Sequence, residues 1–332
     1  MFNFNCLTFA KELYVYGWFG TIPDAIIKKF TKETGIVVYL SSYENNETMY
    51  SKLMLLGNQP SYDIVIPSTY FIEKMAKKNF LLDLDISKIP NLKNINQKIL
   101  NKKFDPNNRY SIPFATHLTG IMYNLKFINK KIDSWYNLFD QSYKNKVLLL
   151  DDVREVYHIG LSLLGYDINT KDEKKVKEAY NYLRSLMPNI NIFAVESTKK
   201  YFLSQDVFIG MNWNSDAYAA INEDKDLRFI YPKEGAILSI DSFVILKNSR
   251  NQENAYKFIN FILRSDIAKA IIEETGASLP NTAAQDLLDP LIKNNTVIFP
   301  STEIINKSLI HEDLGKSSMV YVKYWNMLKV EN

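Results

Sequence analysis

The residues of this chain best suited to hold a cation follow a short apolar run, VLLL at 147–150. Asp151 and Asp152 come directly after the run, and Glu155 comes three positions after Asp152. If Asp152 begins a helix, its carboxylate can accept hydrogen bonds from the first turn, where an acid gains roughly 0.3–1 kcal/mol. Glu155 would then lie on the same helix face, because residues three apart are surface neighbours. The pattern fits a helix cap and a cation site, and these residues alone leave both open.

Aromatic residues and a further acid follow or adjoin other predicted strands. Trp18, Tyr70 and Trp213 each come at the end of one, with Ser68 close by, and Asp241 lies immediately before the predicted strand SFVIL. Ring faces pack on methylene groups and attract ammonium groups by about 0.5–2 kcal/mol. Carboxylates form charge-assisted hydrogen bonds with the same groups. The combination suits a linear amine, although each aromatic residue taken alone also fits a core or surface position.

The elements that would position these residues alternate between strand and helix. The first strands are ELYVYGW (12–18), IVVYLSSY (36–43) and YDIVIPSTY (62–70), and the helices between them end at Gly35 and near Gly57. This order predicts a parallel α/β sheet, in which ligands bind beyond the carboxyl ends of the strands. Trp18, Ser68 and Asp152 occupy such positions.

A second α/β pattern begins near residue 134. It predicts helices at SWYNLFDQSYKNK, REVYHIGLSLLG, KDEKKVKEAYNYLRSLMP and NQENAYKFINFILRSDIAKAIIEETG, and strands at VFIGMNW and SFVILKNS. We therefore expect two α/β lobes, joined by extended segments near 110–120 and 236–245. A length of 332 residues suffices for about two domains.

Composition argues against several classes of protein. The 40 basic and 37 acidic residues nearly balance, at a net charge of +3, and lysine is spread along the chain, which argues against nucleic-acid binding. No apolar run approaches the roughly 20 residues of a membrane span. One cysteine and three distant histidines predict no metal site and no cofactor. No phosphate-binding loop or nucleophile–His–acid set stands out, and an i, i+3 carboxylate pair does not flank a scissile bond, so we expect no enzyme.

The start of the chain, MFNFNCLTFAKELYVY, is too short for a signal peptide. Cys6 nevertheless precedes the first strand by a few residues. One reading makes Cys6 the lipid-bearing first residue of a trimmed lipoprotein, which would anchor the protein to a membrane. The other makes it an unmodified thiol at a frayed terminus.

Many segments together carry a family likeness. In order and spacing, from about Leu13 to about Lys329, the chain resembles the spermidine/putrescine-binding proteins of ABC importers in the stretches FTKETGI, YENNETMYSKL, YDIVIPSTY, FDPNNRYSIPF, LLDDVREVY, AYNYLRSLMPN, GMNWN, YPKEG and INFILRSDIAK. The resemblance implies an α/β, two-lobed clamp of the periplasmic-binding-protein type, with mainly parallel sheets and a hinge of crossing segments. Lobe one would be 10–116 plus 240–285, and lobe two 117–239 plus 286–332.

The resemblance also implies a function. The protein would capture a polyamine in the cleft between its lobes, outside the cytoplasm, and deliver it to ABC permease subunits, acting as a monomer. Family ligand positions correspond to the carboxylates Asp152, Glu155 and Asp241, the aromatic residues Trp18, Tyr70 and Trp213, the hydroxyl of Ser68, and Phe19 and His311. A surface protein or sensor without a transport role, using the same cleft, is an alternative.

Several family ligand positions differ in this chain. An acid and a tyrosine of the spermidine pattern are replaced by Gly20 and Thr21, a tryptophan by Ser239, a tyrosine by Ala277 and a glutamine by His311. A buried ammonium without a partner costs several kcal/mol, so a third charge would be poorly held. We expect a preference for a shorter diamine such as putrescine, weak spermidine binding, or another small cationic ligand, and His311 would disfavour a trication further if it were protonated.

Overall fold

The computed structural model describes residues 11–330 except 58, 60 and 196. The chain divides into two compact units. Unit 1 takes its described residues from Met1–Thr116 and Ile240–Lys293, and unit 2 from His117–Ser239 and Asn294–Asn332. Cys6 lies outside the described residues.

Strands and helices alternate in the first part of unit 1, as the sequence predicts. They are β1 (Lys11–Trp18), α1 (Asp24–Thr34), β2 (Ile36–Tyr43), α2 (Asn46–Leu56), β3 (Ile64–Val65) and α3 (Thr69–Lys77). Helix α1 ends at Gly35, whose left-handed backbone (φ 70°) lets its N–H bond to the carbonyl of Thr31. Strand β3 is shorter than predicted, because Pro67 has no N–H to continue a ladder and Ser68 already caps α3.

The rest of the chain passes from unit 1 to unit 2, returns to unit 1 at Ile240 and enters unit 2 again at Asn294. The elements are β4 (Ser111–Asn124), β5 (Val147–Leu149), α4 (Val153–Leu163), α5 (Glu173–Leu183), β6 (Ile190–Phe193), α6 (Thr198–Leu203), β7 (Ile209–Trp213), α7 (Asn214–Glu223), β8 (Leu227–Ile230), β9 (Leu238–Ile245), α8 (Gln252–Ile262), α9 (Ser265–Thr275), α10 (Thr282–Gln285), α11 (Pro290–Lys293), α12 (Thr302–Lys307) and α13 (Ser318–Val330). Strands β4 and β9 contain the first two crossing points, in the extended segments that the sequence predicts, and the third lies directly after α11.

Two local predictions were wrong. The segment SWYNLFDQSYKNK forms two short 3₁₀ turns, Trp135–Phe139 and Gln141–Tyr143, because Asp140 adopts an extended backbone and its side chain caps the second turn. Strand β9 begins at Leu238, so Asp241 lies inside the strand and not before it. The apolar residues on both sides of Asp241 extend the strand past the acid.

The sheet of each unit is parallel except where β4 or β9 joins it. In unit 1 the order is β2-β1-β3-β9, with β1 parallel to β2 and β3, and β9 antiparallel to β3. In unit 2 the order is β4-β7-β5-β6, with β5 parallel to β6 and β7, and β4 antiparallel to both β7 and β8. The α/β class is as predicted, and Trp18, Asp152 and Trp213 lie at or just beyond the carboxyl ends of parallel strands.

Each unit has its own apolar core. Unit 1 packs rings such as Tyr16, Tyr43 and Phe71 beneath its sheet, and unit 2 packs Trp135, Tyr157 and Tyr321 around the buried face of α4. No helix in the described part of the chain is long and apolar enough to cross a membrane.

Candidate ligand-binding site

Asp241 is the central carboxylate of unit 1. It is 4% exposed within β9, and the hydroxyl of Ser68 donates a hydrogen bond to its Oδ1 at 2.5 Å. Ser68 is in turn held at the start of α3, where its backbone N–H donates to Oδ1 of Asn46 at 3.1 Å. A buried carboxylate is costly unless it is hydrogen-bonded. Ser68 therefore both stabilises and orients Asp241.

Tyr43 lies near this carboxylate, and the ring of Trp18 packs on Tyr43. Trp18, the last residue of β1, packs against Tyr43, with the ring centroids 4.7 Å apart. The negative charge of Asp241 contributes to the raised pKa of Tyr43, after burial as the main cause. The hydroxyl of Tyr43 donates to the carbonyl of Ile66 at 2.5 Å. Sequence reasoning missed Tyr43, although it ends β2 and the rule of strand ends would have found it.

The other two aromatic candidates of unit 1 differ in their surroundings. Tyr70 packs on Phe71, and the ammonium of Lys74 lies 5.2 Å from the centroid of its ring. Phe19 is 85% exposed, in the turn that follows β1. Trp18, Tyr43, Ser68 and Asp241 are linked to one another by the contacts given above. We call these four residues the unit 1 half-site.

The three acids after β5 have three different roles. Asp151 is exposed and forms an ion pair with Lys329 at 2.9 Å. Asp152 caps α4, accepting hydrogen bonds from the backbone N–H groups of Arg154 at 2.7 Å and Glu155 at 3.2 Å. The capping reading therefore holds for Asp152, whose side chain remains exposed.

Glu155 is the buried carboxylate of unit 2. It is 3% exposed, its Oε1 lies 3.8 Å from Nδ1 of His311, and its Oε2 is buried without a hydrogen-bond partner in the described structure. Burial raises the pKa of Glu155 well above its usual value, and the charge of Asp152 raises it further, while a hydrogen bond with Thr119 opposes the shift. The charge of Arg154 also opposes the shift, but burial outweighs it, so the neutral acid is favoured.

His311 is also buried, at 7% exposure, and its Nε2 has no hydrogen-bond partner in the described structure. Burial lowers the pKa of His311 well below its usual value, with a further contribution from the charge of Arg154. The imidazole is therefore neutral near pH 7. It does not carry the positive charge by which a protonated His311 would disfavour a trication.

Trp213 lies beside the same group of residues. It is half-buried at the end of β7 and pairs across the ladder with Thr119 of β4. The ring of His117 meets it edge-on, at 6.3 Å between centroids. Because Thr119 hydrogen-bonds to Glu155, the indole, Asp152, Glu155 and His311 belong to one surface of unit 2, which we call the unit 2 half-site.

Sequence reasoning also missed Arg154. Its buried guanidinium donates to the carbonyl of Glu312 at 3.1 Å and to Oδ1 of Asn169 at 2.7 Å. These bonds fix the segment that carries His311 against α4. No local signal distinguished Arg154, because its partners lie far along the chain.

The chemistry of both half-sites is that of cation binding. Each combines a buried carboxylate with an indole ring, and ammonium groups bind to both kinds of group. No cluster of three or more His, Cys, Asp or Glu side chains among the described residues could hold a metal ion.

Comparison with known proteins assigns the chain to a class. The family of bacterial extracellular solute-binding proteins matches residues 25–300, and the chain belongs to this family. Its members bind solutes and are not enzymes. The family also places the protein outside the cytoplasm, as the sequence predicts.

Individual members of this family are similar to the chain over nearly its whole length. The spermidine/putrescine-binding periplasmic protein of Salmonella typhimurium is 42% identical, over 96% of this chain and 91% of its own. The putrescine/cadaverine-binding protein of Pseudomonas aeruginosa is 32% identical, over 97% and 95%. Among solved structures, the spermidine/putrescine ABC transporter substrate-binding protein PotD of Streptococcus pneumoniae, in complex with calcium and HEPES, is 34% identical with a TM-score of 0.88, over 97% of this chain and 99% of its own. The predicted family and fold class are confirmed.

Proposed function

We propose that this protein binds a polyamine outside the cytoplasm and delivers it to the permease of an ABC importer. The proposal is supported by the ligands named for its relatives and by the carboxylates and indole rings of the two half-sites. Trp18, Ser68, Asp241, Asp152, Glu155, Trp213 and His311 are the proposed contact residues, to which we add Tyr43. Phe19 and Tyr70 remain candidates from the resemblance alone.

The observation that carries the proposal is the free carboxylate oxygen of Glu155. Oε2 is buried and has no hydrogen-bond partner in the described structure. Buried polar groups in folded proteins are almost always hydrogen-bonded, so such an atom indicates a partner supplied from outside the chain. A primary ammonium carries three N–H donors and a positive charge, which satisfy both needs of a carboxylate.

Within the polyamines, we propose a preference for the shorter diamines. Gly20 replaces a family acid, and no atom lies within 4 Å of the position that its Cβ would occupy. Glycine itself carries no carboxylate for a third ammonium. Ser239 and Ala277 replace family rings, so fewer aromatic faces are available to a longer chain.

Calorimetric titration with putrescine, cadaverine, spermidine and uncharged 1,4-butanediol tests the function. We expect the diamines to bind more tightly than spermidine, and the diol not to bind. Glu155→Gln should weaken diamine binding at least tenfold. Asp151→Asn is the matched control, because Asp151 is a surface acid paired with Lys329, and it should leave the affinity unchanged.

Two outcomes would overturn these proposals separately. If no amine binds while the diol or an anionic solute does, polyamine binding is wrong. If spermidine binds far more tightly than putrescine, only the preference for diamines is wrong.

Transport is tested in cells. Deleting the gene should reduce uptake of radiolabelled putrescine, and the wild-type gene should restore it. Restoration by a variant that binds no diamine, or unchanged uptake after deletion, would favour a surface sensor without a transport role.

We also propose that the protein acts as a monomer and that Cys6 carries a lipid. Sedimentation at micromolar concentration should give the mass of one chain.

Mass spectrometry of protein from native membranes should show an acylated Cys6, and an unmodified thiol would exclude the anchor.

A further inference from the structure

Glu155 and His311 form a buried acid–imidazole pair in unit 2. Their nearest polar atoms, Oε1 and Nδ1, are 3.8 Å apart, which is too far for a hydrogen bond. Each side chain also keeps one buried polar atom without a partner in the described structure, Oε2 of Glu155 and Nε2 of His311. The pair is thus fixed in place and incompletely satisfied.

The groups that surround Glu155 and His311 carry charges of both signs, so they do not hold the two side chains as an ion pair. On α4 these are the cap Asp152, the buried Arg154 and His158, and on β4 the hydroxyl of Thr119. Arg154 donates to the segment that carries His311 and to Asn169. His158 already has hydrogen-bond partners within the protein. Its Nδ1 lies within hydrogen-bond distance of the hydroxyl of Ser162, and its Nε2 lies within that distance of the indole N–H of Trp135 and of the carbonyl of Gly235.

We propose that Glu155, beside a neutral His311, holds a proton in the free protein and releases it when an ammonium group of the ligand binds. Binding breaks the O–H bond of the carboxylic acid, the proton passes to the buffer, and the carboxylate that remains pairs with the ammonium. The charge of the site is thereby balanced in both states. This inference rests on the proposed function, because it describes how the same amine is bound.

The direction of the pKa shifts agrees with this geometry. Burial raises the pKa of Glu155 and lowers that of His311, so both side chains are favoured in their neutral forms. An arriving cation reverses the preference of Glu155, since an opposite charge within about 4–6 Å favours a carboxylate. Binding must then tighten as the pH rises, because the free protein carries the proton that binding removes.

His311 acts on this equilibrium as a positioning residue. A neutral imidazole has one donor and one acceptor nitrogen, so it cannot offer the carboxylate a full charge. Glutamine at the same position would present an amide NH₂ group. A donor of that kind stabilises the carboxylate of Glu155 and lowers its pKa. A smaller fraction of the free protein would then carry a proton on Glu155.

Calorimetry with putrescine in buffers of different ionisation enthalpy measures the released protons directly. Putrescine itself stays doubly protonated between pH 5.5 and 8, given amine pKa values of about 10. We expect close to one proton released per ligand at pH values below the apparent pKa of Glu155. In that range the affinity should rise about tenfold per pH unit, and above it the affinity should level off.

Variants separate the roles of the residues. His311→Gln should reduce the number of released protons and flatten the pH profile while diamine binding persists. His117→Gln is the matched control, since the ring of His117 meets Trp213 and is not part of the Glu155–His311 pair, and the proton count should be unchanged. Glu155→Gln should release no proton. Unfolding curves check that each variant remains folded.

The outcomes distinguish this inference from the function on which it rests. Putrescine binding with no buffer-dependent heat and a flat pH profile would overturn the proton release and leave polyamine binding intact. An unchanged proton count in His311→Gln would remove His311 from the mechanism. Failure of every amine to bind at any pH would overturn the function itself.

Discussion

At the scale of single residues, acids that are neighbours along this chain have different structural roles. Asp151, Asp152 and Glu155 lie within five positions, yet one forms a surface ion pair, one caps a helix and one is buried. Asp241 has a fourth environment, inside a strand and hydrogen-bonded to Ser68. Burial, more than the presence of a carboxylate, distinguishes Glu155 and Asp241 from the other two acids, and it is the reason for proposing them as cation ligands.

The two members of the Ser68–Asp241 pair should contribute unequally to binding. Asp241→Asn keeps a hydrogen-bond acceptor for Ser68 but removes the charge, so diamine affinity should fall roughly 10- to 100-fold, by about 1.5–3 kcal/mol. Ser68→Ala removes only an orienting bond and should cost about 0.5–1 kcal/mol. Titration calorimetry of both variants gives the comparison, and equal losses would contradict the role assigned to Asp241.

At the scale of elements, each half-site depends on strands that approach one another closely. A Cβ atom on Gly210 of β7 would lie 2.4 Å from the carbonyl oxygen of Leu148 on β5. A Cβ on Gly17 of β1 would meet only the flexible end of Ile66, at 2.8 Å. The backbone of β5 cannot yield without loss of pairing, whereas the side chain of Ile66 can rotate.

Gly210→Ala and Gly17→Ala therefore form a matched pair. The first should lower the free energy of unfolding by about 1–3 kcal/mol through overpacking, and the second by less than about 1 kcal/mol. Urea unfolding followed by circular dichroism measures both changes. A larger loss for Gly17→Ala would show that the limiting contact had been wrongly identified.

Helix α4 should also make stability depend on pH. His158 is buried among Trp135, Ser162 and Gly235, and burial lowers its pKa to about 4. Since the unfolded chain binds a proton near pH 6.5 and the folded one does not, the contribution of His158 is complete above pH 6.5 and is lost as the pH falls toward 4.

The expected loss is about 3 kcal/mol between pH 7.5 and 4. Urea unfolding at intervals across this range measures it, with His158→Gln as the control. The variant will be less stable overall, but its stability should fall less steeply with decreasing pH. An identical slope in both proteins would exclude His158 as the cause.

At the scale of the whole molecule, each unit is built from two separated chain segments, because the chain crosses between the units three times. Both units carry a carboxylate–indole half-site, and the indole of each, Trp18 or Trp213, is the last residue of a strand. The sequence predicts that one ligand contacts both units, and this stays a prediction that thermodynamic coupling can test.

Putrescine at 100 times its dissociation constant should raise the free energy of unfolding by about 2.7 kcal/mol.

Asp241→Asn and Glu155→Gln should each reduce binding, and their effects should be non-additive if one ligand contacts both residues. Calorimetry of the two single variants and the double variant measures the coupling. Strictly additive losses would argue for independent sites.

The sequence by itself determined the local elements and the family. Gly35 ends α1, and the order of strands and helices predicts the α/β class, because such signals act between residues a few positions apart. Only the tertiary structure placed Asp241 within β9 against Ser68, or brought His311 beside Glu155. Those contacts join residues far apart in the chain. Burial and pKa depend on all neighbours in space, which local periodicity does not specify.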